Sequence, residues 1–302
     1  MSHGADSLKS IFYALGANFA IAVAKLVAAI LTGSGSMTAE AIHSFADCSN
    51  QLLLLLGIRL SKRPPSPDFP LGYGKSVYFW SFIVALILFS MGGLYSIYEG
   101  WHKLHQGEMM SYAGLAVGVL IFAIIAESIS MWGCMREVNK EKAGRSISQW
   151  FRETRKSELL VIFGEDAAAL LGLSIALIAV ILTLVTGNPL YDALGSMFIG
   201  FLLVIIAILI GVEVKALLIG QGVEKSVRTA MIEFLEQREE IEQVFNLLTL
   251  QLGIDVMVAV KVKITGVDTV QDLVQAINRC EKEFKQAFPN VLWSFFEPDK
   301  ED

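Results

Sequence analysis

The sequence predicts an α-helical membrane protein, a bundle of six transmembrane helices followed by a small cytoplasmic α/β domain. Three observations carry that reading. Hydrophobic residues make up 54% of the 302 positions, beyond the roughly 45–50% of ordinary soluble domains. Six apolar stretches approach or exceed the length of about 20 residues that a helix needs to cross a bilayer. Charge is also unevenly placed: residues 1–212 hold 14 Lys or Arg and 14 Asp or Glu, residues 213–302 hold 10 and 16. A neutral apolar block followed by an acidic polar one divides the chain into a membrane domain, 1–212, and a globular domain, 213–302.

Each element follows in order. Residues 1–10 are polar, and 11–31 form a first helix with no small-residue cleavage site behind a short apolar core, so it reads as an uncleaved span. Lys25 stands too deep in it to reach the headgroups easily and is expected to point into the bundle. An uncharged turn, 32–37, leads to the second helix, 39–57, which carries the most polar groups at membrane depth. The segment 61–75 contains four of the seven prolines and cannot be helical throughout. The third helix, 77–98, ends among Tyr95, Tyr98, Glu99 and Trp101, a composition suited to a headgroup interface. The fourth, 112–134, contains Glu127 and has Gly114 and Gly118 at a spacing that favours close helix packing. A charged loop, 135–156, precedes the fifth helix, 158–185, and after a short turn 190–210 forms the sixth.

Loop charge sets the orientation. Lys62, Arg63 and Lys75 lie in the second-to-third loop, and seven Lys or Arg between Arg136 and Lys156 lie in the fourth-to-fifth, whereas the alternate loops have only Lys103. By the positive-inside rule both termini are cytoplasmic. With no targeting segment recognised, a bacterial inner membrane is the expected location.

The polar block reads as a helix at 225–239, strands at 244–252 and 256–264 with a turn between, a helix at 270–288 capped by Asp268 or Thr269, and a last strand at 291–297. This α-β-β-α-β order suits a ferredoxin-like open sheet with both helices on one face. The bare second face is expected to meet a partner, so dimerisation is predicted. No basic run argues for nucleic acid, and the acidic C-terminal block argues against it. Cys48, Cys134 and Cys280 lie in three different segments without a CxxC pair and read as buried hydrophobes.

The chemistry centres on the second and fifth helices. Helical spacing places Glu40, His43, Asp47 and Asn50 on one face. A charged side chain at the bilayer centre costs at least ~2.5 kcal/mol, so such groups face a partner, a cavity or an ion pathway. His43 and Asp47, one turn apart, form a two-ligand arrangement for a divalent transition metal. Glu165 and Asp166 stand side by side in the fifth helix, followed by Ala167–Ala169 and Gly172, which let another helix approach. The bland alternatives are a simple His43–Asp47 pair with Glu40 and Asn50 at wet helix ends, and Glu165 bound to Lys25 or a hydroxyl. One Lys cannot neutralise Asp47, Glu165 and Asp166 together, so a mobile cation is the better account.

Six helices, acid-bearing second and fifth helices and a small C-terminal α/β domain resemble the cation diffusion facilitator family of metal transporters. The turn TGSGSMTAEAIHSFAD, the loop FPLGYGKSVYFW and the run LIGQGVEKSV are similar to its mitochondrial-type zinc transporter branch. The resemblance implies a four-ligand metal site with one His/Asp-xxx-Asp pair in each of the two helices. His43 and Asp47 match the first pair, and Asp166 matches the second member of the other, with Gly172 at the expected spacing behind it. The position four before Asp166 is Ile162, so Glu165, a water or Glu40 completes the coordination. Tyr73 replaces a family histidine in the second-to-third loop, leaving Asp68 alone of an accessory site. All four histidines precede residue 106, so the C-terminal domain is expected to serve assembly without binding metal. The resemblance implies a dimeric secondary transporter, not an enzyme and without a resident cofactor, exporting a divalent metal from the cytoplasm by alternating access in exchange for protons. Zn²⁺ fits His43, Asp47, Asp166 and Glu165 first, and Mn²⁺ or Fe²⁺ fits an oxygen-rich version. Glu165 is the candidate fourth ligand or proton carrier. No nucleotide loop suggests ATP drive. A receptor or scaffold with structural buried acids, and a transporter of another substrate, are the competing classes.

Overall fold

The computed structural model describes residues 3–106 and 112–301, with side chains from residue 18 onward except 106 and 113. The polar character expected of residues 1–10 and most of the third-to-fourth loop lie outside the described side chains. Helix α1 (His3–Thr32) and helix α2 (Gly35–Ser61) are separated by two residues. Gly33 turns the chain there at φ +66°, a conformation that other residues reach only with strain. Helix α3 (Ser76–Ile87), a π-helical turn (Leu88–Leu94) and helix α4 (Tyr95–Gln106) follow one another without a break. Helices α5 (Ala113–Glu141), α6 (Ile147–Glu153), α7 (Ser157–Thr186) and α8 (Leu190–Ile219) come next.

Four helical stretches among the described residues are long and apolar enough to cross a membrane: Ser76–His105, Gly114–Glu141, Ser157–Thr186 and Leu190–Ile219. In α1 the apolar stretch among described residues is the shorter Asn18–Thr32. The polar face that marks α2 as chemically interesting also lowers its hydropathy, as Glu40, His43, Asp47 and Asn50 interrupt the apolar sequence.

The helices run longer than the sequence reading in several places, the first two being His3–Thr32 and Gly35–Ser61 against 11–31 and 39–57. The expected charged loop at 135–156 is partly helical, because it holds no proline and charges such as Glu137 and Lys140 pair at i,i+3 spacing, 2.6 Å apart. The chain leaves the helix around Ala143 and Gly144, both at positive φ. Helix α8 runs to Ile219, past the expected end at residue 210. At Gly114 and Gly118 an added Cβ would meet nothing within 4 Å, so the glycine spacing there makes no close helix contact among the described residues. Close approach occurs instead at Gly93 and Gly200, where a Cβ on Gly200 would come within 2.7 Å of the Gly93 carbonyl oxygen.

The chain divides into two compact units, Met1–Leu56 with Trp80–Ile147 and Glu158–Glu213, and Gly57–Phe79 with Ser148–Ser157 and Val214–Asp302. In the second unit the Pro-rich loop is tied to the sheet. Gly253 N donates to the Tyr78 hydroxyl at 3.0 Å, and any Cβ on Gly74 would collide with the Leu252 carbonyl. Arg155 Nε likewise donates to the Gly222 carbonyl at 2.7 Å.

The C-terminal elements are helix α9 (Lys225–Glu236), strands β1 (Ile241–Leu252) and β2 (Asp255–Ile264), helix α10 (Val270–Ala287) and strand β3 (Val291–Pro298), the order the sequence predicts. β1 pairs antiparallel with β2, and β3 parallel with it, in the order β1-β2-β3. Alternation along β2 turns Val256, Val258, Val260 and Val262 inward, where they meet Met231 and Leu235 of α9 and Cys280 and Phe284 of α10. Of the two candidate caps, Thr269 closes α10, in a reciprocal capping box with Asp272.

Candidate metal centre

The first turn of α2 is fixed from α8. Asp192 accepts hydrogen bonds from Ser34 Oγ at 2.7 Å and from Gly35 N at 2.6 Å, and binds Ser36 through both its amide and its hydroxyl. A carboxylate over otherwise unsatisfied helix N–H groups is favourable by capping and by the helix dipole. That contact joins residues far apart in the sequence and had no local signal beyond the small residues of the turn.

Downstream, α2 presents its polar face into the first unit. Glu40, His43 and Asn50 are fully buried, so Glu40 and Asn50 do not lie at wet helix ends. Lys25 of α1, also fully buried, places Nζ 3.2 Å from Glu40 Oε2 and 2.7 Å from Ser44 Oγ. The Lys25 ammonium therefore serves Glu40 and not Glu165. Gly172 of α7 makes room for that carboxylate, because a Cβ there would stand 2.6 Å from Glu40 Oε1.

His43 Nε2 lies 3.6 Å from Asp47 Oδ2, with neither ring nitrogen in a hydrogen bond. The other face of the ring looks toward the π-helical turn, where a Cβ on Gly92 would sit 3.9 Å from Nδ1. One turn beyond Asp47, Asn50 Nδ2 donates to Glu165 Oε1 of α7 at 2.5 Å. Asp166, about 100° further round the helix, turns toward α5 and accepts from Ser130 Oγ at 3.3 and 3.2 Å. Of the four sequence-predicted residues, His43 and Asp47 are thus adjacent, Glu165 is brought to the same helix face through Asn50, and Asp166 faces α5. Asp47 lies within the electrostatic field of Glu165, Glu127, Lys25 and Glu40.

The polar face of α2 is not satisfied internally. Glu40 Oε1, both His43 nitrogens, Asp47 Oδ1 and Asn50 Oδ1 are buried without hydrogen-bond partners. A buried polar atom left unpaired costs about 1–3 kcal/mol, and four such side chains on successive turns of one face mark a place built to receive something polar. Among the described residues no three His, Cys, Asp or Glu side chains are drawn together tightly enough to form a ready-made metal cage. The unpartnered atoms all stand on α2, beside the Glu165 carboxylate of α7.

Elsewhere the metal-binding chemistry is thin. Tyr73, at the position of a family histidine, packs its ring 4.6 Å from that of Phe69, and Asp68 is exposed. In the C-terminal unit burial pushes the Cys280 thiol up to about 11, keeping it protonated and inert at neutral pH.

The sequence matches the cation efflux transmembrane domain over residues 11–219. Among curated proteins it is 35% identical over 232 residues to the proton-coupled zinc antiporter SLC30A9, mitochondrial, of Xenopus laevis, covering 76% of this chain and 41% of that protein. Metal tolerance protein C4 of Arabidopsis thaliana is 29% identical over 242 residues, 80% of this chain and 53% of that one. The magnetosome protein MamB of Magnetospira sp. (strain QH-2) is 26% identical over 248 residues, 82% and 79%. The chain thus spans about 41% of the length of the antiporter and 53% of that of the plant protein.

Proposed function

Because the chain belongs to the cation efflux family, the cation diffusion facilitators, and is a multi-pass integral membrane protein, we propose that it is a secondary transporter that exports a divalent transition-metal cation. Members of this family are transporters and not enzymes. The observation that carries the proposal is the unsatisfied polar face of α2, in which Glu40, His43, Asp47 and Asn50 bury unpartnered donors and acceptors beside an acid of α7. Polar atoms in that setting are costly unless an ion visits them.

In this reading His43, Asp47, Glu165 and Asp166 form the metal site, with His43–Asp47 as its fixed half. Zn²⁺ is the first candidate, supported by the zinc antiporter among the relatives, and Mn²⁺ or Fe²⁺ fits an oxygen-rich form of the site. Alternating access requires the helix pair to change its packing. Glu165 and Asp166 point to different neighbours, so a modest rotation of α7 exchanges one for the other at α2. Protons are the counter-substrate, since an acid that binds metal must release any proton it holds. On the same reading six spanning helices, counting α1 and α2, leave both termini on one side, which the loop charges make cytoplasmic, and a ferredoxin-like C-terminal domain, 213–302, pairs two copies. The bacterial inner membrane is the proposed location, and the loop charges give the orientation in it.

Uptake of radiolabelled Zn²⁺ and Mn²⁺ by proteoliposomes holding the full chain, with and without a pH gradient, tests the proposal. Metal uptake should require the protein and be driven by the pH gradient. Glu165→Gln should retain movement down the metal gradient while losing most of the pH drive. No uptake of either metal by correctly folded protein would reject the transporter reading.

A further inference from the structure

With Glu165 turned to α2 and Asp166 held by Ser130 of α5, three of the four proposed ligands stand at the α2 face, and charge decides which further donor the ion meets in this arrangement. The inference rests on the transporter reading above. Two side chains flank the His43–Asp47 pair on the same face of α2: Glu40 one turn before and Asn50 one turn after. Glu40 is committed, since its charge is compensated by Lys25 at 3.2 Å in a setting where both residues are fully buried. Moving Glu40 to the metal would leave the buried Lys25 ammonium with the neutral Ser44 hydroxyl and without the charge that compensates it, which is unfavourable.

With Glu40 spoken for, Asp47 and Glu165 are the carboxylates at this face. Their two negative charges match one divalent cation, whereas a third carboxylate would leave a net charge buried in a low-dielectric region. A further donor should therefore be neutral. Asn50 supplies one. Its amide nitrogen donates to Glu165 Oε1 at 2.5 Å, and a carboxylate can only accept, which turns the carbonyl oxygen away from Glu165. That oxygen is buried without a partner, and the residue is 0% exposed. It sits three residues after Asp47 and seven after His43, on their face of the helix.

We propose that Asn50 is a metal-contacting residue of the transport site: its carbonyl oxygen joins the His43 imidazole and the Asp47 and Glu165 carboxylates, so that the ion meets one nitrogen and three oxygens. Carbonyl and carboxylate donors suit harder divalent ions, while each added imidazole favours zinc. The site is thereby matched to ions of the Mn²⁺ and Fe²⁺ type more closely than a site with two imidazoles would be. Asn50 also holds Glu165 at the face, so a purely positioning role must be separated from direct contact.

The separation is made by selectivity. The full-length protein and its variants are reconstituted in proteoliposomes, and the concentration dependence of Mn²⁺ and of Zn²⁺ transport is measured for each. Asn50→His replaces the oxygen by an imidazole nitrogen and should raise the Zn²⁺-over-Mn²⁺ preference by roughly tenfold, within the range that ligand-shell changes produce. Asn50→Leu removes the donor and should weaken Mn²⁺ more than Zn²⁺, since zinc tolerates three protein ligands and a water. If both variants change the two metals in equal proportion, or leave both unchanged, Asn50 does not touch the ion. Should Asn50→Leu fail to fold, the Asn50→His preference decides alone. Asp47→Ala serves as the separate check on the underlying reading: transport of either metal by that variant rejects the site itself, whatever Asn50 does. An inactive Asp47→Ala alongside an unchanged preference rejects only the role of Asn50.

Discussion

Lys25 is the residue on which the site's electrostatics turn. A lone ammonium among apolar helices costs several kcal/mol, and its pairing with Glu40 and Ser44 offsets that only while both partners stay in place. Lys25→Met leaves the Glu40 carboxylate buried and uncompensated, and should destabilise the detergent-solubilised protein by about 3–5 kcal/mol. The double variant Lys25→Met with Glu40→Leu removes both charges and should recover most of that loss. Thermal unfolding of the two variants measures this, and equal destabilisation by both would show that the ion pair is not the source. The sequence shows that Lys25, Glu40, His43, Asp47, Glu165 and Asp166 are out of place in a membrane, and the one-turn spacing of His43 and Asp47 pairs those two. It does not show the pairings between helices. Glu165 and Asp166 have different expected roles in the sequence but not different neighbours; the positions of Asn50 on α2 and Ser130 on α5 supply those.

At the scale of the element, α2 is held in rotation and depth by its first turn. Asp192 of α8 receives the Ser34 hydroxyl and the Gly35 and Ser36 amides together, and Gly35 is close enough that a Cβ would lie 3.5 Å from Asp192 Oδ2. Lost capping alone costs about 0.5–2 kcal/mol, and Asp192→Ala gives up several such bonds in a buried setting. The variant should lower stability by about 2 kcal/mol and reduce the rate of metal transport, because His43 and Asp47 are placed by the helix that the cap fixes. A melting temperature and uptake rate both equal to wild type would mean that the rest of the bundle fixes α2 without it. Helix spans were largely legible from apolar runs and prolines. Their ends were not, because charged residues in the α5–α6 region extend a helix when they pair with one another, and because α8 runs on through Gly211 and ends only before Gly220, at φ +135°. Asp192 reads in sequence as an ordinary acid in the first turn of a helix, and its role at α2 is a tertiary one.

On the scale of the whole molecule, the open face of the C-terminal sheet is the feature that the fold leaves unexplained within one chain. Inward valines of β2 alternate with Met257, Ala259 and Lys261, and strand register carries that outer face across the sheet. Leu248 of β1 and Phe295 of β3 are both in register with Ala259, so one rung places leucine, alanine and phenylalanine side by side. Leu248 is 62% exposed and Phe295 54%, whereas the helices cover the opposite face. The α-β-β-α-β order was legible because alternation and helical periodicity differ sharply, and that order, with both helices on one side, implied a bare second face. Which residues line it depends on register, which the sequence does not print. If two copies pair through this face, burying the rung adds about 25 cal/mol for each Å² of apolar surface removed from water. Charges placed there would have to be desolvated without partners. Leu248→Asp combined with Phe295→Glu should therefore shift the detergent-solubilised protein from dimer to monomer in light scattering, at a concentration where the wild type is dimeric. The inward valines are untouched, so each unit should keep its fold by circular dichroism. A dimer of undiminished affinity in the double variant would move the pairing surface off the sheet and onto the helices of the first unit.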